Sequence, residues 1–125
     1  MEDARHIPPE SDLSFNEYQD WTDTTAIYAR PQTNFVYPAM KLAGEAGEVI
    51  EEIGKMLRPE ENYNDIPWDE IDRKRIGKEL GDVLWYIARV ARAFNLTMAE
   101  VVALNLEKLN NRKSQGTLHG RGSDR

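Results

Sequence analysis

The stretch from Lys41 to Lys55, KLAGEAGEVIEEIGK, constrains the fold of this chain more than any other. On an α-helix advancing about 100° per residue, Leu42, Ala46, Val49 and Ile53 form one apolar stripe, and Glu45, Glu48 and Glu52 occupy the sector beside it. The acids therefore border the surface that must be buried instead of sitting opposite it. A second stretch, ELGDVLWYIARVARAF from Glu79 to Phe94, has the same layout, with Glu79 and Asp82 in one sector and Leu80, Val83, Ile87 and Phe94 in the next. Packed side by side, two such helices bring four carboxylates together.

The rest of the sequence supports a helical reading. Ser14 followed by Glu17 is a capping box, which predicts a helix from Phe15 to about Ala29. Arg30 to Asn34 reads as a loop. Pro38 suits the first turn of a second helix, which continues to about Leu57. Gly44, Gly47 and Gly54 lie inside it. Each weakens a helix interior by roughly 0.5–1 kcal/mol relative to Ala, which points either to close approach of another helix or a ligand, or to tolerated weak positions. Arg58 to Pro67 is a polar connector. A third helix is expected from Trp68 or Ile71 to Phe94, and a capping box at Thr97 and Glu100 opens a fourth, from Met98 to about Lys113. No stretch alternates as a strand would. The expectation is an all-α four-helix bundle over residues 13–113, with a loose segment at 1–12 and a glycine-rich basic tail at 114–125.

Composition narrows the function. A chain of 125 residues is about one domain. Its net charge of −6 argues against general binding to nucleic acid or to an anionic membrane, both of which need excess Lys and Arg. The absence of cysteine excludes disulfides and thiolate chemistry. No apolar run approaches the roughly 20 residues of a membrane span, so the reading is a soluble protein of the cytoplasm.

Glu45/Glu48 and Glu79/Asp82 are each spaced i, i+3, and each is a two-carboxylate claw. Four such acids beside a core repel one another, and a divalent cation relieves that repulsion. All-oxygen ligation favours Mg²⁺, or Mn²⁺, over Zn²⁺. A di-iron bundle would need Glu-x-x-His pairs, yet the only histidines, His6 and His119, lie near the termini. The competing reading is an ordinary solvated face with Lys41, Lys55 or Lys78 as i, i+3 and i, i+4 partners. On the fourth helix, Asn105, Lys108 and Arg112 share one face.

The words YPAMKLAGEAGEVIEEIGK, KELGDVLWYIARVARAFNLTMAEV and NLEKLNNRKSQGTLHGRG resemble the MazG family of all-α nucleoside triphosphate pyrophosphohydrolases. The family's E-x-x-E and E-x-x-D signature falls on Glu45, Glu48, Glu79 and Asp82, with a longer connector between the two halves than the pattern has. The resemblance implies Mg²⁺-dependent hydrolysis of a nucleoside triphosphate to the monophosphate and pyrophosphate, with these four as metal ligands and Glu48 as the group that positions or deprotonates water. Glu51 and Glu52 are candidates for a second ion. The resemblance also implies phosphate contacts at Lys108 and Arg112, with Asn105 beside them, and a homodimer or homotetramer. Lys55, Lys78, Arg89 and Arg121 of the tail are further candidates for phosphate, and Trp21 and Phe35 for stacking on the base. Trp85 turns away from the acid sector, whereas Tyr86 shares it. The alternative is a non-catalytic regulatory or assembly module that binds nucleotide or metal; acids bordering the core argue against it.

Overall fold

The computed structural model describes residues 12–56 and 70–118. The connector Arg58–Pro67, His6, His119 and Arg121, the segment before Asp12 and the end of the tail lie outside the described residues. Four α-helices are present, α1 (Phe15–Thr22), α2 (Val36–Met56), α3 (Glu70–Ala93) and α4 (Met98–Gln115), with no strand among the described residues. The all-α expectation therefore holds. None of these helices is long and apolar enough to cross a membrane.

The capping box at Ser14 and Glu17 forms as read, whereas at Thr97 and Glu100 only the threonine half of the box forms. The Ser14 hydroxyl accepts from the Glu17 amide at 3.1 Å while the Glu17 carboxylate accepts from the Ser14 amide at 3.2 Å. Thr97 caps α4 through the Glu100 amide at 3.0 Å. Helix α1 is much shorter than expected and stops at Thr22. The threonines there turn their hydroxyls back on the last carbonyls, Thr22 on Gln19 at 2.6 Å and Thr24 on Trp21 at 2.7 Å. β-Branched side chains with a competing hydroxyl favour such an exit over another helical turn.

The main pair is the hairpin of α2 and α3, antiparallel because Glu45 meets Asp82 while Glu52 meets Arg75, nearer the start of α3. Helix α2 turns Pro38, Leu42, Glu45, Val49, Glu52 and Met56 toward cover, so two of its acids stand in the buried seam. Helix α3 is the central element, with α1 and α4 packed on it and on each other, whereas α4 makes no packing with α2 among the described residues. Gln19 joins these elements: its amide nitrogen donates to the carbonyls of Ala88 and Leu96, and its oxygen accepts from the Met98 amide. The buried apolar cluster is small, consisting of Ala88, Ala91 and Met98 with Tyr18, Leu84, Ile87, Leu96 and Val101 around it. A Cβ on Gly44, Gly47 or Gly54 would meet nothing within 4 Å, so no helix approaches them closely within the described chain.

Candidate functional site

Carboxylate oxygens of Glu45, Glu79 and Asp82 come within 4.8 Å of one another in the seam between α2 and α3. Glu45 and Glu79 are half-buried, and Asp82 is exposed. Octahedral Mg²⁺ holds oxygens at about 2.1 Å, which sets opposite ligands about 4.2 Å apart, so a small side-chain rotation closes this set around one ion. Three hard anionic oxygens from two helices fit such a cation, and the open side leaves room for water and substrate oxygens.

Glu48 stands outside that triad, exposed and beside Glu51 and Glu79. The Glu51 charge, then burial, a hydrogen bond to Glu51 and the Glu79 charge hold its pKa above the usual glutamate value, with Lys55 opposing. Glu52 is engaged elsewhere, by Lys55 at 2.9 Å and by Arg75 at 3.8 Å. That engagement also raises the pKa of Lys55.

A pocket of about 370 Å³ opens over the triad, lined by Trp21, Thr25, Glu45, Asp82, Trp85 and Tyr86. A second, of about 440 Å³, shares Thr25, Trp85 and Tyr86 with the first and adds Ile27, Tyr28 and Tyr37. Its rings touch in series: Tyr28 and Tyr37 lie 4.9 Å apart, Tyr28 meets Trp85 edge-on at 6.3 Å, and Trp85 meets Tyr86 at 4.8 Å. Burial first, then the electrostatic influence of Tyr37 and a hydrogen bond with it, and the charges of Glu45 and Asp82 push the pKa of the Tyr86 hydroxyl above the usual tyrosine value. Burial and the Asp82 charge do the same for Tyr18, at 3.5 Å from the Gly81 carbonyl. An acid cluster thus adjoins a ring-lined pocket that carries several hydroxyls.

Of the residues expected at the site, the structure brings together Glu45, Glu79, Asp82 and Trp21, with Glu48 alongside. Phe35 packs on Phe94 at 5.1 Å, twelve residues and roughly 18 Å along α3 from Asp82, and lines neither pocket. Asn105 and Lys108 are exposed on α4 and Arg112 is buried, and no residue of α4 lines either pocket. Lys55 is paired with Glu52, and Lys78 is exposed. Arg89 proves to be a wholly buried anchor for the segment after α1. Trp85, read as turning away, lines both pockets because Thr25 draws its indole N–H over at 2.8 Å. Sequence reasoning missed Thr25 and Tyr28. Tyr28 and Thr25 lie in the stretch read as the end of the first helix, which the structure ends at Thr22.

These features define a class: a helical-hairpin protein whose facing acids form a cation-competent cluster beside an aromatic pocket. Residues 38–117 match the family model described as the MazG nucleotide pyrophosphohydrolase domain, and the chain belongs to that family. It is also 36% identical over 113 residues, 86% of this chain and 96% of the relative, to "Gene 37 protein" of Mycobacterium phage L5. No solved structure matches it.

Proposed function

We propose that this protein hydrolyses nucleoside triphosphates with Mg²⁺, cleaving between the α and β phosphorus atoms to release the monophosphate and pyrophosphate. The observation that carries the reading is the Glu45, Glu79 and Asp82 cluster sharing a wall with a pocket of Trp85, Tyr86, Tyr28 and Tyr37. Pockets of about 300–1,000 Å³ suit small ligands, and a nucleotide needs an anionic end and a flat apolar end at once. Glu45, Glu79 and Asp82 hold the cation, which when bound screens phosphate oxygens and acidifies water. Glu48, a better proton acceptor than an ordinary glutamate because Glu51 and Glu79 stand beside it, orients the attacking water and takes its proton. Trp85 and Tyr86 offer faces and edges to the base. In the cell this chemistry trims the nucleotide pool, in a cytoplasmic setting.

The test is a panel of NTPs and dNTPs with Mg²⁺, resolving pyrophosphate from orthophosphate, for the parent and Asp82→Asn. The parent should release pyrophosphate, and the variant should lose most turnover together with Mn²⁺ binding by electron paramagnetic resonance, at unchanged helix content. Orthophosphate as the sole product would sink the assigned bond. Parental turnover in the variant would remove Asp82 from the site.

A further inference from the structure

We propose that Arg89 is a positioning residue for ligand recognition: it holds segment 23–31 as a wall of the aromatic pocket and fixes that wall against the carboxylates without touching the ligand. The inference rests on the nucleotide reading above and goes beyond it. Segment 23–31 contains no helix or strand of its own, and Arg30 within it has a φ of +51°, so no regular ladder of hydrogen bonds keeps its shape. Side chains of α3 hold it. The Arg89 guanidinium has no exposed surface and spends its fork on this one stretch and its helix end. It donates to the Asp23 carboxylate, to the Thr22 hydroxyl at 3.2 Å, to the Tyr28 hydroxyl at 3.1 Å and to the Pro31 carbonyl at 2.6 Å. One turn earlier on α3, Trp85 ties down Thr25.

The two anchors, at i and i+4, share a helix with Glu79 and Asp82. Helix α3 therefore sets the distance from the acid cluster to the wall formed by Thr25, Ile27 and Tyr28. An arginine serving packing alone would bond to groups of the core. Here its acceptors are the loop that carries the pocket wall, one of them a ring of that wall, with the guanidinium carbon 6.0 Å from the Tyr28 ring centre. Lysine retains the charge but, with a single nitrogen, cannot span four acceptors in a planar fork.

The experiment compares the full-length parent with Arg89→Lys in Mg²⁺. KM for accepted nucleoside triphosphates should rise roughly ten- to hundredfold, because a wall displaced by about 1 Å misplaces the base. Turnover at saturation should stay within about twofold, and preference among bases should narrow, since the lost interaction is one of binding. Mn²⁺ affinity should not change. Binding of nucleotide in Ca²⁺, read by tryptophan fluorescence from Trp21 and Trp85, should weaken in parallel. An unchanged KM and unchanged Ca²⁺-supported binding would overturn the proposal, as would joint loss of turnover and Mn²⁺ affinity, which marks a plain structural role. If Arg89→Lys fails to fold, Asp23→Asn decides, because it removes the charged acceptor at a partly exposed position; a parental KM there overturns the proposal. A parent that turns over no nucleoside triphosphate would count against the proposed function, while the fluorescence comparison would still judge Arg89.

Discussion

Glu48 shows how a single side chain reports on the site. Its pKa stands above the ordinary glutamate value of 4.5 because Glu51 and Glu79 crowd it with like charge. A carboxyl raised in the folded state favours folding while protonated, below its ordinary value, and loses that contribution as pH climbs through the raised one. At neutral pH, without metal, Glu48 therefore opposes folding. Glu48→Gln should raise the thermal midpoint of the chelator-treated protein at pH 7, and the gap should close as pH falls below 4.5. A gap that ignores pH would show that charge is not its cause. The same variant should lose most turnover. At this scale the sequence could show that Glu45, Glu79 and Asp82 converge, because i, i+3 spacing beside an apolar stripe dictates where they point. It could not place Glu48 outside the triad: one residue of phase, set by how two helices cross, decides which of two neighbouring acids faces the seam.

At the scale of elements, the legible features were those with a local cause. Capping boxes and stripes gave α2, α3 and α4 nearly to the residue, and Gly116, at φ +68°, closes α4 in the left-handed conformation that glycine adopts freely. Helix α1 was misread because Ile27 continues the apolar positions Phe15, Tyr18 and Trp21, a pattern that the Arg89 contacts override. Tertiary bonds of that kind leave no mark on periodicity. Gln19, nearly unexposed, was likewise invisible: its three hydrogen bonds reach residues about seventy or more positions away. Replacing it with Leu strands those partners, each net bond being about 1 kcal/mol and each orphaned group more, so a loss of about 2–4 kcal/mol in urea unfolding is expected. Ser14→Ala, by contrast, should cost about 1 kcal/mol, the usual value for an exposed N-cap. Equal effects from the two would show that Gln19 is only a local contact.

The whole molecule raises a different problem, since its described helices leave apolar faces uncovered by one another. Among the described residues only Ala88, Ala91 and Met98 form the buried apolar cluster, while Val36, Met40 and Ile50 are 54–72% exposed on α2 and Leu104, Leu106 and Leu109 are exposed on α4. On α2 the exposed side chains continue through Ala43, Gly47 and Gly54 at alternating steps of three and four, the repeat of a helix-packing seam. Gly47 and Gly54, which nothing approaches among the described residues, fall on this seam, and Gly44 lies beside it. Self-association is the expected outcome: sedimentation should give a multiple of 14.4 kDa, and Ile50→Glu should lower it. The acid pocket has a matching gap, because no Lys or Arg among the described residues lines it, while Lys108 stands exposed on a helix that makes no packing with α2 among them. If assembly brings Lys108 of one copy to the acids of another, Lys108→Ala should weaken triphosphate binding and its salt dependence. Inactive Asp82→Asn and weakened Lys108→Ala chains, mixed and reassociated, should then recover activity. In a dimer with two shared sites, half the molecules would be hybrids carrying one intact site each, giving about a quarter of parental turnover by counting. No recovery, with subunit exchange verified by mass spectrometry, would confine each site to a single chain.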